Sequence, residues 1–218
     1  TNAAFGLTVR LQPNGSICED AFGALTSAFS QNALSLILGD TTNGTANSSA
    51  TGFDSSNATL LNGNELQVGP IAQTIFPNSG GSYTVNVTRR VYLGSSTPTG
   101  PYLRFMETVE NNSGSDQNLL VRVEGILNDT SGLGSKSVLT TDTGASPASG
   151  SDRFFAIEET ADPQPTVTFL THDGLTNDGA SVSSVTTPAA LLTSVGYDWR
   201  VENIPNGSSR SWLHFVLF

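Results

Sequence analysis

The sequence YTVNVTRRVYL, residues 83–93, alternates apolar and polar side chains along most of its length. One face carries an apolar set that consists of Tyr83, Val85, Val87, Val91 and Leu93. This two-residue period is typical of a strand with one buried face, because successive side chains of a strand point to opposite sides. A helix would distribute the same valines around its circumference, so the run is predicted to be a β-strand.

Two later runs repeat the pattern, LRFMETVE at Leu103–Glu110 and LLVRVEGI at Leu119–Ile126. Turn-forming residues separate the three runs, and we predict that hairpins join each run to the next. The dipeptide Asn62-Gly63 lies between the apolar segments Leu60–Leu61 and Glu65–Val68. Because Asn-Gly suits a two-residue turn, these segments are predicted to form a further hairpin.

Most other apolar runs are also short and bounded by turn residues. Strands are predicted at Phe5–Leu11, Leu34–Leu38, Gln73–Phe76, Lys136–Thr140, Phe154–Glu158, Thr166–Leu170, Ala180–Thr186, Asp198–Val201 and Ser211–Phe218. Asp20–Gln31 fits a helix or an irregular loop, Asp40–Asn57 is predicted to be a long exposed loop, and Pro188–Leu192 to form one helical turn. About twelve strands predict an all-β fold, a large two-sheet antiparallel β-sandwich with long Ser/Thr/Asn/Gly-rich loops that spans residues 1–218 as a single domain.

Composition and charge favour a protein of the cell exterior. Charged residues make up 13% of the 218 residues and the net charge is -10, so nucleic acid and acidic membrane surfaces would be repelled. The longest apolar run, Leu34–Leu38, is too short to cross a bilayer, and no membrane insertion is predicted. Because residue 1 is Thr, we expect a secreted chain whose signal peptide has been removed, with a cloning boundary as the alternative.

Cysteine and asparagine usage agree with this location. Cys18 is the only cysteine, which excludes an internal disulfide and favours a small buried apolar residue over a reactive thiol. Glycosylation sequons occur at Asn14, Asn43, Asn47, Asn57, Asn86, Asn111, Asn128 and Asn206. This is about twice the number that composition alone would give. Glycans are predicted first at three residues of the exposed loop and at one on the polar strand face: Asn43, Asn47, Asn57 and Asn86.

Three segments carry a resemblance to a known class of domain: Val87–Tyr92, Tyr102–Asn111 and Trp212–Phe215. In succession they resemble a supersandwich-like β-sandwich domain of large secreted bacterial surface proteins. Such domains open with a strand and an Asn-Gly-like turn, as Phe5–Gly15 does, so the resemblance covers nearly the whole chain. It implies an extracellular location and a β-rich form, and it implies no catalytic residues.

Histidines give little support for catalysis. The chain has two, His172 and His214, and lacks the G-x-S-x-G elbow of serine hydrolases. His214 lies inside an apolar strand and is predicted to be a hydrogen-bonded structural residue. His172 precedes Asp173 in a turn and is predicted to be solvated.

Paired carboxylates of the kind that hydrolyse glycosides are also unsupported. Glu158 and Glu159 are adjacent, and Glu107 and Glu110 have opposite parity, so neither pair lines one side of a strand. Glu107 shares the apolar face of its strand and is either a site residue or a partner for an arginine. Arg89, on the apolar face of the neighbouring strand, is the partner we predict, in a buried ion pair that favours one sheet register.

Metal and ligand sites have weak signals. The loop aspartates Asp142, Asp152, Asp173 and Asp178 lack EF-hand spacing, so no metal or other cofactor is predicted, with loop-bound Ca²⁺ as the alternative. Four aromatic residues are candidates for a sugar-stacking platform: Tyr92, Tyr102, Tyr197 and Trp199. For Trp199 and for Trp212, burial in the core is the favoured alternative.

The functional hypothesis is a structural protein and not an enzyme. We expect an extracellular, glycosylated subunit of a surface filament or layer that assembles through β-strand edges. Both Phe5–Leu11 and Ser211–Phe218 are strong strand sequences, so one of them is predicted to complete a neighbour's sheet in a head-to-tail homopolymer, unless it is central in its own sandwich. The alternative function is a carbohydrate-binding or adhesive cell-surface module.

Overall fold

The computed structural model describes the chain at residues 7–11, 17–22, 34–40, 49–50, 53, 55–77, 79–96, 100–126, 136–144, 148–149, 152–159, 167–171, 182–186 and 194–217. Regular structure within these ranges consists of fifteen strands and one 3-10 turn, Ser55–Asn57. The strands are β1 (Leu7–Leu11), β2 (Ile17–Phe22), β3 (Ser35–Gly39), β4 (Ser49–Ala50), β5 (Ala58–Leu61), β6 (Glu65–Ile75), β7 (Tyr83–Ser96), β8 (Gly100–Glu110), β9 (Gln117–Ile126), β10 (Lys136–Thr141), β11 (Phe154–Glu159), β12 (Val167–Leu170), β13 (Val182–Thr186), β14 (Ser194–Ile204) and β15 (Ser209–Leu217).

These strands form two sheets and a separate hairpin. The large sheet has eight strands in the order β10-β11-β12-β15-β8-β7-β6-β5, and the small sheet has five in the order β13-β14-β9-β3-β4. Strands β1 and β2 pair with each other and, among the described strands, with no other. Every pairing is antiparallel, so the predicted all-β, two-sheet antiparallel fold is confirmed.

The core lies between the inner faces of the two sheets. The large sheet contributes alternate residues of its central strands, and the small sheet contributes those of β3, β9 and β14. Aromatic rings meet across the interface, with the centroid of Trp199 on β14 6.3 Å from that of Trp212 on β15. Inward residues of the central strands are almost inaccessible, as the alternation in β8 shows: Leu103, Phe105 and Val109 are each 0% exposed. Burial at every second position explains why the two-residue period indicated the fold.

Local turn signals located two hairpins correctly. Strand β5 turns into β6 through three residues, Asn62, Gly63 and Asn64, and the φ angles of Asn62 and Gly63, 50° and 76°, are both positive, as suits an Asn-Gly turn. Strands β7 and β8 pair along their length, from Asn86 opposite Glu110 to Ser96 opposite Gly100. The hairpin is therefore longer at its turn than the predicted runs.

The predicted hairpin between the second and third runs is wrong. Strand β9 leaves the large sheet and lies between β14 and β3 in the small sheet, while β15 takes the place beside β8. Two of the chain's crossings between the sheets meet here, from β8 to β9 and from β14 to β15. The two crossings run side by side, because β8 pairs with β15 and β9 pairs with β14.

Hydrogen bonds join the two crossings into one corner. The side-chain amide of Asn111 donates to the carbonyls of Ser115 and Ile204 at 2.9 and 2.8 Å. The backbone N–H of Gly207 donates to the carbonyl of Asn111 at 2.7 Å, and that of Gly114 donates to Oδ1 of Asn206 at 2.8 Å. A buried asparagine thus lies where the sequence pattern suggested a hairpin turn. Its side chain binds backbone carbonyls at the points where the chain passes from one sheet to the other.

The two ends of the described chain differ in their placement. The predicted strand at Ser211–Phe218 is β15, which lies between β12 and β8 and is central in its own sheet. Of the two placements that the sequence left open for this strand, the structure has the central position in its own sheet. The predicted strand at Phe5–Leu11 is β1, which pairs with β2 and belongs to neither sheet.

Most of the remaining strand predictions are confirmed, with small shifts at their ends. Strands β3, β10, β11, β12, β13 and β14 lie at the predicted places, β14 being much longer than the prediction. Strand β2 takes the first residues of the segment left open between helix and loop, and β4 interrupts the predicted long loop. Residues 23–33 and the helical turn predicted at 188–192 lie outside the described residues.

Candidate functional site

Four polar side chains meet in the core between the two sheets. Three of them project inward from the large sheet, Arg89 from β7, Glu107 from β8 and His214 from β15, and each is 0% exposed. The fourth, Tyr197, projects from β14 of the small sheet and is 1% exposed. Burial of a charged pair requires that each polar atom find a partner, so the contacts of this cluster decide its role.

Hydrogen bonds connect the four residues in a chain. The hydroxyl of Tyr197 lies 2.7 Å from Nδ1 of His214, and Nε2 of His214 lies 3.1 Å from Oε1 of Glu107. Arg89 donates from Nε to both oxygens of Glu107, at 3.0 and 3.1 Å, and from Nη1 to the carbonyl of Leu34 at 2.7 Å. Leu34 directly precedes β3 of the small sheet, and Tyr197 lies on β14 of the same sheet. The series of hydrogen bonds therefore connects the large sheet to the small sheet at both of its ends.

Strand register explains why these residues converge. Arg89 and Glu107 are directly opposite each other in the β7–β8 hairpin, which confirms the predicted buried ion pair. His214 lies opposite Phe105, one inward position along β8 from Glu107, and the prediction that it is a hydrogen-bonded residue inside its strand is also confirmed. The hydrogen bond to Tyr197 depends on the packing of the two sheets, and it has no signal in the sequence.

The partners fix the protonation state of each group. Burial alone would raise the pKa of Glu107, but the charge of Arg89 and the hydrogen bond from His214 outweigh it and lower that pKa. Burial also lowers the pKa of His214, which is therefore neutral. A carboxylate only accepts, so the imidazole proton lies on Nε2 and Nδ1 accepts from the tyrosine hydroxyl.

The order hydroxyl, imidazole, carboxylate is that of a nucleophile, its base and an orienting acid. Here burial and the nearby charge of Glu107 raise the pKa of Tyr197, so the hydroxyl is held in its neutral form. The ring of Phe105 stacks on the imidazole of His214 with centroids 4.7 Å apart and planes within 7°. The four residues are thus buried and hydrogen-bonded to one another, and together they link the two sheets and specify their alignment.

A second cluster lies on the outer face of the large sheet. Tyr92 on β7, Tyr102 on β8 and Phe215 on β15 are half-buried and follow one another across three adjacent strands. The ring centroids of Tyr92 and Tyr102 are 6.2 Å apart, and those of Tyr102 and Phe215 are also 6.2 Å apart. We call these three residues the aromatic row.

The row is held in place by a glycine and by an arginine. Gly94 lies opposite Tyr102, and a Cβ at Gly94 would meet the hydroxyl of Tyr102 at 2.6 Å, so the tyrosine ring leans on bare backbone. The guanidinium of Arg104 lies 4.7 Å from the ring centroid of Tyr92, and its Nη2 is 3.3 Å from Oε1 of Glu65. Aromatic cover of a strand glycine and a cation over a ring both limit side-chain motion.

The predicted sugar-stacking platform is therefore half correct in its membership. Tyr92 and Tyr102 do lie together at the surface, whereas Tyr197 and Trp199 are each 1% exposed and belong to the core. The alternative for Trp199 is confirmed, as it is for Trp212, which is 3% exposed. Sequence reasoning missed Phe215, because its place beside Tyr102 depends on the pairing of β15 with β8.

The acidic loop residues within the described ranges bind protein groups. Asp152 accepts hydrogen bonds from the backbone N–H and hydroxyl of Thr143 and of Ser149. Burial alone would raise the pKa of Asp152, but these four hydrogen bonds lower it. Asp142 binds the guanidinium of Arg153 at 2.6 Å.

These contacts close the connection between β10 and β11. Within the described ranges, no group of three or more His, Cys, Asp and Glu is placed to hold a metal ion. Asp173 and Asp178 lie outside those ranges, as does His172.

The other predicted carboxylates are separated as their parity required. Glu107 faces the core, whereas Glu110 on the same strand is exposed and accepts a 3.4 Å hydrogen bond from Nδ2 of Asn86. The side chains of Glu158 and Glu159 lie outside the described residues, as does that of Cys18 on β2.

Four of the eight sequons fall among the described residues. Asn57 and Asn206 are exposed, and Asn86 is half-buried on the outer face of β7. Asn111 differs, because it is 0% exposed and its amide donates to two backbone carbonyls. A glycan on its Nδ2 would remove one of these donors, so the folded structure disfavours modification there. Asn14, Asn43, Asn47 and Asn128 lie outside the described residues.

Neither models of known protein families nor curated protein sequences match this chain. Over the described part of the molecule, no helix is long and apolar enough to cross a membrane.

Proposed function

We propose that this protein is an extracellular structural protein, a glycosylated subunit of a surface filament or layer that assembles through strand edges. The observation that supports it most directly is the edge strand β5, Ala58–Leu61, which ends the large sheet. It contains no charged residue, and its Leu60 is 64% exposed. Proteins that remain monomeric usually protect such edges with charge, proline or bulges.

The opposite edge of the same sheet has this protection. Strand β10 begins with Lys136, and its pairing with β11 shifts between Val138 and Thr140, which marks a bulge at Leu139. Both a lysine and a bulge hinder pairing with a further strand. The two edges of the large sheet therefore differ, because in the described structure β5 carries neither a charged residue nor a bulge.

The N-terminal hairpin supplies a matching strand. Strands β1 and β2 pair with neither sheet over the described residues, so the hairpin can dock on β5 of a neighbouring subunit and leave both sheets intact. Such a contact joins two different surfaces and gives an open head-to-tail chain. The low content of charged residues, 13%, and the eight sequons support the extracellular location.

The test is the mass of the assembled protein and its appearance in electron microscopy. Wild-type protein at high concentration should form filaments, and both deletion of residues 1–22 and Leu60→Lys should give folded subunits that sediment as monomers. Leu213→Lys is the matched control, because Leu213 is 49% exposed but lies on the central strand β15. Monomeric wild-type protein, or a deletion that unfolds the sandwich, would overturn the proposal.

Glycosylation of Asn57 provides a second test of assembly through β5. It is exposed and immediately precedes β5, so a glycan on it would stand beside the edge strand. Asn57→Gln in glycosylated protein should therefore increase assembly, whereas Asn206→Gln, at an exposed turn of another region, should leave it unchanged.

A further inference from the structure

The aromatic row belongs neither to the core nor to an edge of the sheet. Tyr92, Tyr102 and Phe215 lie on the outer face of the large sheet, away from the small sheet, and each keeps part of its surface exposed. We propose that the aromatic row binds a neutral oligosaccharide that runs across the strands. This inference goes beyond the structural role proposed above and does not depend on it.

Ring geometry is the first support for this ligand. The ring centroids of Tyr92 and Phe215 each lie 6.2 Å from that of Tyr102, so three neighbouring rings on β7, β8 and β15 form one aromatic surface. A pyranose packs its C–H face on an aromatic ring and leaves its hydroxyls at the edge for hydrogen bonds, so a row of separate rings suits successive sugar units. The tilts of 41° and 54° between neighbouring rings make a stepped surface.

The setting of Tyr102 is the second support. Its ring tip lies over Gly94, where a Cβ would meet the hydroxyl at 2.6 Å. The ring thus lies against the backbone of Gly94, and Tyr102 keeps part of its surface exposed. A stacking surface that is fixed before binding loses little conformational entropy when a ligand arrives.

Charge is the third support, and it selects a neutral ligand. The guanidinium of Arg104 lies over Tyr92 and is paired with Glu65 at 3.3 Å. Next to it, Nε of Arg90 donates to Oε1 of Gln67 at 2.9 Å. Because Glu65 compensates the charge of Arg104 and the net charge of the chain is -10, a polyanion is disfavoured here. The same amide, carboxylate and guanidinium groups can hydrogen-bond sugar hydroxyls.

Titration calorimetry of the full chain with neutral hexaoses of glucose, mannose and galactose, and with polygalacturonate as the anionic comparison, tests the proposal. We expect at least one neutral hexaose to bind and polygalacturonate to bind no more tightly. Tyr102→Ala and Phe215→Ala should each weaken binding about tenfold or more. Phe76→Ala is the matched control, since Phe76 is 58% exposed and lies outside the row.

A further variant tests the position of the Tyr102 ring without removing any aromatic side chain. Gly94→Ala retains all three rings but displaces the tip of Tyr102, so it should weaken binding while the melting temperature and self-association change little. The proposal is overturned by wild-type protein that binds none of the neutral hexaoses, by tighter binding of polygalacturonate, or by Tyr102→Ala binding as well as wild type. Loss of self-association in Tyr102→Ala without any sugar binding would instead assign the row to contacts between copies. Filament formation is measured separately, so failure of either proposal is distinguishable from failure of the other.

Discussion

Oε1 of Glu107 on β8 accepts a hydrogen bond from Nε2 of His214 on β15 at 3.1 Å, although 107 positions separate the two residues in the chain. This contact joins an ion pair within one hairpin to a hydroxyl on the opposite sheet. Each of the two residues is 0% exposed, so neither has water as an alternative partner. Substitutions in this buried cluster should therefore show how strongly it holds the two sheets in alignment.

Removal of the negative charge should destabilise the fold strongly. Glu107→Gln leaves the buried Arg89 guanidinium without its counter-charge, which is expected to lower the free energy of unfolding by about 3–5 kcal/mol. Urea denaturation followed by circular dichroism measures it. Glu124→Gln, at an exposed position of β9, is the control and should change stability by less than about 0.5 kcal/mol. Equal effects of the two substitutions would show that the buried pair contributes nothing specific.

The tyrosine hydroxyl should matter in its own right. Tyr197→Phe keeps the ring but leaves Nδ1 of His214 buried without a donor, at an expected cost of about 1–3 kcal/mol. Tyr92→Phe provides the comparison, because its half-exposed position lets water take over any lost hydrogen bond. The same denaturation experiment measures both. A Tyr197→Phe protein as stable as wild type would contradict the assigned hydrogen bond.

Acid should destabilise the protein through the same cluster. The pKa of His214 is lowered in the folded state. Below about pH 6.5, the pKa of histidine in the unfolded chain, the unfolded protein therefore binds a proton at this residue and the folded protein does not. Stability is therefore lost as pH falls below that value, by up to about 1.4 kcal/mol per pH unit. The pKa of Glu107 is lowered as well, so its contribution is present above about 4.3 and is lost as pH falls through its folded value.

Denaturation at pH 7.5 and pH 5.5 isolates the histidine. His214→Gln should lower stability at both values but flatten the difference between them, whereas His172→Gln should retain it. A difference that persists in His214→Gln and vanishes in His172→Gln would assign the pH dependence to the other histidine.

The connection between β10 and β11 should depend on one carboxylate. Asp152 accepts four hydrogen bonds from Thr143 and Ser149, and an amide can accept at only one of its two positions. Asp152→Asn is expected to cost about 1–3 kcal/mol and to speed amide exchange at residues 142–144. Asp142→Asn removes an ion pair with Arg153, whose side chain is 57% exposed, and should cost less than about 1 kcal/mol. Similar effects of the two variants would count against a special role for Asp152.

Glycan mapping by mass spectrometry of protein from its native source should separate the sequons by exposure. Asn57 and Asn206 are expected to carry glycans, because both are exposed, and Asn111 is expected to be unmodified, because it is buried. Asn111→Gln should destabilise the corner between the sheets, while Asn206→Gln should have a smaller effect. An occupied Asn111, or an intact mass equal to the 22.7 kDa polypeptide, would contradict these assignments.

Several features of this fold followed from the sequence alone. Alternation marked β7, β8 and β9 as strands because burial of one sheet face requires it at every second position. The Asn62-Gly63 turn placed a hairpin because both residues accept positive φ. The Arg89–Glu107 pair could be predicted because both residues interrupt the apolar faces of strands that are neighbours in the chain.

The tertiary structure decided what local patterns cannot encode. Alternation states which face of β9 is buried but not which sheet it joins, so the crossing at Asn111 replaced the predicted hairpin. The position of β15 beside β8 brought His214 to Glu107 and Phe215 to Tyr102, and the packing of the two sheets brought Tyr197 to His214. Pairing between strands so distant in sequence is fixed by the packing of the whole core, because any inward-facing strand satisfies the local pattern equally well.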